Sequence, residues 1–325
     1  MTAKIKAFIS FFLRFGLSAG LLGLLFLQMK DKERLAELFL AADFQYLVYA
    51  FLLFALIHYL LLIRWRIFIN ALDLNIPWMN MSRYFFLGLF GNLFLPSAIG
   101  GDIIKAVGLC VNAEKKPRIV ASVLLDRLSG FASMVIVASF GLLVGFDYLD
   151  NPAIWLMVFF MALGLIFLAA VLLNQNLYNI FCQIFCFFPK IRTAVMQMHY
   201  DVVLLKDRKD AIVKAIALAC AGQVLLALVF FLLALGMHQS VSIFFFIIFT
   251  PITCVAASLP SIGGLGFREG MLEYLLAGVG LVSGVGVGIG LLDFLFMVIV
   301  GIFGWFFFLL TKDRESVESA SAPAS

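Results

Sequence analysis

The chain has 325 residues, 64% of them hydrophobic and 13% charged, with a formal charge of +4 and a mean hydropathy of +1.10. Soluble domains are about 45–50% apolar and about 25% charged, so this composition excludes a soluble protein and points to helices of about 20 apolar residues in a membrane. No run alternates apolar and polar residues as a barrel strand does, and the modest positive charge gives no reason to expect nucleic acid as a partner.

In chain order, Lys4 and Lys6 precede an apolar run from Phe8 to Met29. The run is too long for a signal-peptide core and lacks an Ala-x-Ala site, so an uncleaved first span is expected. Further spans are expected over 45–63, 119–145, 152–174, 211–236 and 285–311, giving six. Two more apolar stretches, 84–110 and 240–282, are interrupted by "FLPSAIGGDIIKA" (Phe94 to Ala106) and "LPSIGGLGFREG" (Leu259 to Gly270). From Tyr84 to Leu95 a helix reaches only about 18 Å, roughly half a bilayer. That length fits a re-entrant hairpin better than a span. Leu177 to Pro189, flanked by Lys190 and Arg192, is expected as an interfacial helix.

Lysine and arginine set the expected orientation. Arg64, Arg66 and Arg83 precede the first interrupted stretch, and Lys115, Lys116 and Arg118 follow it, so both flanks are expected to be cytoplasmic. The links 146–151 and 237–240 carry neither residue type and are expected outside; 175–210 and the region after Lys312 are expected inside. Lys30, Lys32 and Arg34 run against this scheme, although Asp31, Glu33 and Glu37 neutralise them. The order span, span, hairpin, span then occurs twice, with 45 matched to 211, 119 to 285 and Pro96 to Pro260, at offsets of 166, 166 and 164. Three spans per half invert the second copy. The expected fold is therefore an all-α integral membrane protein with an inverted 3+3 repeat and two Pro/Gly-broken re-entrant hairpins. One transmembrane domain is expected over 1–311, with repeats at about 8–145 and 152–311, then a disordered cytoplasmic tail over 312–325. Both termini are expected on the cytoplasmic side of the inner membrane.

The two breaks align with one gap. Pro96 meets Pro260, Ser97 meets Ser261, Gly100 and Gly101 meet Gly263 and Gly264, and Lys105 meets Arg268. Broken backbone at membrane depth survives only buried in protein or lining a wet cavity. A helix restarting after such a break offers N–H groups and a positive dipole end. With Lys105 and Arg268 added, each tip is expected to bind an anion near the midplane, through Ser97, Gly100, Gly101, Ser261, Gly263 and Gly264. Asp102 and Glu269 are expected either to neutralise these cations in the empty site or to serve only as ion-pair partners. "LLDRLSG" adds Asp126 and Arg127, and Asp293 follows Asp126 by 167 residues. Asp126 and Arg127 form either an interfacial pair or, for Asp126 with Asp293, cavity-facing partners or proton carriers. Arg64–Trp65–Arg66 is expected as an interface anchor. Gly280, Gly284, Gly288, Gly286 and Gly290 have the spacing of close helix contact. The three histidines do not cluster and the five cysteines suggest no metal or disulfide framework.

"GNLFLPSAIGGDIIKA", "SVLLDRLSG" and "SLPSIGGLGFREG", in that order, resemble the lysylphosphatidylglycerol synthase transmembrane family, the flippase half of the multiple peptide resistance factor, which also occurs as stand-alone membrane proteins. The resemblance covers roughly 8–311. It implies lipid transport, and roles for Pro96, Gly100, Gly101, Asp102, Lys105, Asp126, Arg127, Pro260, Gly263, Gly264, Arg268 and Glu269. The two-part proteins carry a soluble aminoacyltransferase domain after the membrane part. This chain ends about 14 residues past its last span, so aminoacylation is not expected of it. The expected function is a flippase or transporter for an anionic phospholipid or lipid-linked phosphate, without a cofactor and without catalysis. Its expected partners are the lipid, and a further copy of itself or a separately encoded lipid-modifying enzyme. The alternative is a membrane-embedded transferase acting on a phospholipid or polyprenyl-phosphate, which would need an acidic metal cluster or a nucleophile with a base.

Overall fold

The computed structural model describes residues 20, 23, 27, 32–94, 100–111, 113–145, 151–173, 208–259, 261 and 263–321. These residues form ten helices and no strand. They are α1 (Lys32–Leu40), α2 (Phe44–Ala71), α3 (Trp78–Asn92), α4 (Gly100–Cys110), α5 (Lys116–Val144), α6 (Pro152–Leu173), α7 (Lys209–Gly236), α8 (Ile243–Ala257), α9 (Phe267–Gly278) and α10 (Val285–Ser321).

Five of them are long and apolar enough to cross a bilayer: α2, α5, α6 through Ala170, α7, and α10 through Thr311. They match five expected spans. The first expected span and the interfacial segment at 177–189 lie outside the described residues, although Gly20, Gly23 and Leu27 are helical. The interrupted stretches each give two short helices. At about 1.5 Å per residue, α3, α4, α8 and α9 are too short to cross about 30 Å of hydrocarbon. Helix α10 runs on past its membrane-length stretch to Ser321. Lys312, Arg314, Glu315 and Glu318 are ordinary helix-compatible residues, and a helix already formed extends at little cost.

The helices gather into two compact units, and each draws on both halves of the sequence. One comprises Met1–Ala41, Ile76–Val111 and Val255–Ser325; the other comprises Ala42–Asn75 and Asn112–Cys254. In the first, α3 packs on α4 and α10, α9 packs on α10, and α1 touches α10. Small residues allow the close approach. A Cβ on Gly304 would lie 2.5 Å from Phe86 O, and one on Gly301 would lie 2.8 Å from Leu93 Cδ1. Arg83, buried, donates from Nε to Thr311 Oγ1 at 2.9 Å and joins α3 to α10.

In the second unit α2 lies along α7, and α5 packs on α2, α6 and α7. Asp43 caps α2 by accepting from Gln45 N–H at 2.9 Å, and its own N–H donates to Gly236 O at 2.9 Å. Large apolar side chains such as Phe140, Phe159 and Phe160 point outward. On a soluble protein such faces would be a liability; in hydrocarbon they cost nothing.

Candidate functional site

The first break is built on glycine contacts. A Cβ on Gly101 would lie 2.3 Å from Gly88 O, and one on Gly88 would lie 2.8 Å from Gly101 O and 3.0 Å from Lys105 Cγ. Helices α3 and α4 therefore meet backbone to backbone, and the Lys105 stem lies across Gly88. Lys105 is 7% exposed. Its Nζ stands 4.6 Å over the Phe85 ring and donates to Asp102 Oδ1 at 3.2 Å. Asp102 and Lys105 are one helical turn apart, so this pair is local to α4. Gly101 N–H donates to Asn92 Oδ1 at 2.8 Å, which supplies one acceptor at the start of α4. Gly100 and Gly101 are buried. Pro96 and Ser97 lie outside the described residues.

The second break depends on backbone freedom. Gly263, Gly264 and Gly266 have φ of +58°, +81° and +91°, a region that costs a residue with a Cβ but not glycine. The chain turns there and α9 starts at Phe267. Glu269 Oε2 accepts the Gly266 N–H at 2.6 Å, so a carboxylate already meets the helix N-terminus. Arg268 donates from Nε and Nη2 to Glu269 Oε1 at 3.2 and 2.9 Å, and from Nη1 to Asp293 Oδ2 at 2.6 Å. Arg268 is 5%, Glu269 0% and Asp293 6% exposed. Asp293 Oδ1 is buried and has no hydrogen-bond partner. Ser261 is buried, and its hydroxyl turns back to Leu259 O at 3.3 Å.

Helices α9 and α10 approach as closely as α3 and α4. A Cβ on Gly286 would lie 2.3 Å from Glu273 N, and one on Gly290 would lie 2.8 Å from Glu269 Cγ. The glycine spacing expected to serve packing does so here. One turn beyond Glu269, the Glu273 carboxylate accepts the N–H groups of Gly284, Gly286 and Val287 at 2.7, 3.1 and 3.3 Å. That carboxylate satisfies donors at the start of α10, which have no intrahelical partner.

The other unit holds a separate buried pair. Arg64 Nε donates to Asp126 Oδ1 at 2.7 Å. Beside it Trp65 Nε1 donates to Ser122 Oγ at 3.2 Å, and Ser122 Oγ donates to Ile119 O. Arg64 and Trp65 are buried, which corrects the expectation of an interface anchor. Asp126 accepts from Arg64, 62 residues away, and its neighbour Arg127 is half-buried. Gly130 leaves room for the guanidinium, since a Cβ there would lie 3.4 Å from Arg64 Nη1.

The structure thus brings together Asp102 with Lys105, and Arg268 with Glu269 and Asp293. Asp126 belongs to a different cluster. Three residues escaped sequence reasoning: Arg64, Asn92 and Glu273. Glu273 had a signal, because it repeats Glu269 at a four-residue interval, as Gly290 repeats Gly286, so both pairs fall on facing stripes. Among the described residues no three or more His, Cys, Asp or Glu side chains are grouped to hold a metal ion.

Residues 11–304 match the family described as "Lysylphosphatidylglycerol synthase TM region". Over 151 residues the chain is 21% identical to a protein of Pyrococcus horikoshii named UPF0104 membrane protein PH1989, covering 46% of this chain and 44% of that protein. The matched stretch is therefore less than half the length of that relative. No solved structure matches the chain. With five helices among the described residues long and apolar enough to cross a membrane, and a match running through nearly all of its apolar length, this integral membrane protein belongs to the lysylphosphatidylglycerol synthase TM region family, whose function is tied to membrane lipid.

Proposed function

We propose that the protein is a flippase or transporter that carries the head group of an anionic phospholipid or lipid-linked phosphate across the cytoplasmic membrane. The observation that carries this reading is Lys105. It is a buried ammonium behind a glycine break, in a chain whose exposed surface is largely apolar, held against the Asp102 carboxylate and the Phe85 ring. A charge at such a depth is costly and is usually kept for a substrate pathway. Asp102 holds the ammonium while the site is empty, and a phosphate oxygen replaces it on loading. The broken helices act as two re-entrant hairpins, and inverted repeats rock to expose the site to each leaflet in turn while acyl chains stay in the bilayer. Both termini face the cytoplasm. No covalent change in the lipid is needed.

The test is translocation by the purified protein in vesicles holding a panel of fluorescent lipids, read by chemical quenching of label in the outer leaflet. The expected result is loss of protection for anionic lipids with the wild type and its retention with Lys105→Ala. Protection equal to empty vesicles for every anionic lipid would overturn the proposal. A covalently altered lipid in the same vesicles would establish the transferase alternative.

A further inference from the structure

Charge and geometry disagree at the second break unless something more is bound there. One guanidinium faces two carboxylates, and all three side chains are at least nine-tenths buried. With all three groups ionised the cluster carries one net negative charge, which is expensive away from water. Among the described side chains, none of the charged groups on the surrounding helices balances it. On α9 the remaining acid, Glu273, is spent on the start of α10. On α3, Arg83 is engaged with Thr311. On α1, Glu37 is exposed. Asp293 is itself the one charged residue of α10 between Val285 and Thr311. On α4, in the same unit, Lys105 is paired with Asp102.

We propose that the Arg268–Glu269–Asp293 triad holds one exchangeable proton, carried on Oδ1 of Asp293. Both Glu269 oxygens accept charge-stabilising bonds, Oε1 from Arg268 and Oε2 from Gly266 N–H, and Asp293 Oδ2 accepts from Arg268. Oδ1 is the carboxylate oxygen in the triad with no donor. A hydronium ion gives its proton to Oδ1, an O–H bond forms, water is left, and the triad becomes neutral. A hard cation such as calcium needs about 6–8 oxygen ligands, and the triad has one uncommitted oxygen to offer; a proton needs one.

This deepens the proposed function, and the coupling part rests on it. A neutral Asp293 is a weaker acceptor for Arg268 Nη1 than a carboxylate. A phosphodiester oxygen can displace it, so that proton and anion bind together. The loaded site then carries the same net charge as the empty, unprotonated triad, and transport of the anion is driven by a proton gradient.

The proton is tested without lipid, by pH-difference infrared spectroscopy of the purified wild type. The expected result is a carbonyl stretch of a protonated carboxylic acid that disappears on raising pH. It shifts on labelling aspartate with 13C at the side-chain carboxyl, and it persists in Asp126→Asn. It is lost in Asp293→Asn and also in Glu269→Gln, where one acid faces one guanidinium; the second variant serves if the first does not fold. No such band in the wild type, a band that survives either variant, or a band that shifts with labelled glutamate instead would overturn the assignment. Because no lipid is present, its failure is separate from failure of the vesicle assay. If the band is found but an imposed pH gradient leaves translocation unchanged, the coupling is overturned and the proton stands.

Discussion

Gly286→Ala is the sharpest perturbation of the second break. The new Cβ would lie 2.3 Å from Glu273 N, 2.5 Å from Glu273 Cα and 2.6 Å from Leu272 C, where ordinary contact begins at 3.4 Å. All three neighbours are backbone, so no rotamer change relieves the clash, and α9 and α10 must part by roughly 1 Å. Overpacking of this kind costs about 1–3 kcal/mol. The same opening, carried along α10, stretches the 2.6 Å contact between Arg268 Nη1 and Asp293 Oδ2 to about 3.6 Å, beyond the range of a hydrogen bond. Gly278→Ala is the control. It also adds a methyl to the same hairpin, but nothing lies within 4 Å of the new atom, and loss of backbone freedom in the unfolded chain favours it by about 0.5–1 kcal/mol. Thermal unfolding of the purified variants should show Gly286→Ala several degrees below wild type and Gly278→Ala at or above it. If Gly286→Ala melts with Gly278→Ala, close approach at this position does not hold the two helices and the argument fails.

Asp126→Ala strands Arg64 in the interior and should cost about 3–5 kcal/mol, seen as a lowered melting temperature; Arg64→Leu with Asp126→Leu should recover most of it, and failure to recover would mean that the pair does more than neutralise charge. Lys105→Ala should lose about 1.5–3 kcal/mol of phosphate binding, roughly 10- to 150-fold in occupancy. Full translocation in Lys105→Ala with Asp102→Ala would refute the phosphate role. Arg268→Lys should be tolerated worse than Lys105→Arg, because Arg268 serves two carboxylates through three nitrogens and an ammonium cannot reproduce that fork. Cysteines placed at 112 and 238 should label from opposite sides of the membrane in intact cells; labelling from one side would rule out the inverted topology.

Most of the spans were legible because a bilayer imposes length and polarity at once. Expected spans of 119–145, 152–174 and 211–236 lie within three residues of α5, α6 and α7 at either end. The expected span 45–63 is instructive. It stopped where Arg64 and Arg66 begin, yet α2 continues to Ala71 with Arg64 buried. Charge beside tryptophan at the end of an apolar run is the pattern of an interface anchor, and only the distant Asp126 reveals otherwise. Site residues were legible when their partners were near in sequence, as for Asp102 and Lys105, or when the repeat pointed to them, as for Asp293. Asn92 and Glu273 are single polar residues in apolar helices. Their role depends on which helix start the fold brings to them, and no local pattern encodes that.

The sequence repeat equates Lys105 with Arg268, but the structure gives them different surroundings. Lys105 has an acid one turn away on its own helix, so the first break balances its charge within eleven residues of α4. Arg268 is shared between its neighbour Glu269 and Asp293 on another helix. Separating α9 from α10 therefore breaks an ion pair at the second break, whereas the Asp102–Lys105 pair travels with α4 as a body. An arriving phosphate competes with Asp102 for Lys105, but with both Glu269 and Asp293 for Arg268. Two similar motifs consequently suit unequal tasks. The first is suited to loading an anion at low cost. The second suits binding that depends on a further event, and protonation of Asp293, which weakens its hold on Arg268 Nη1, supplies that event without any larger rearrangement of the triad.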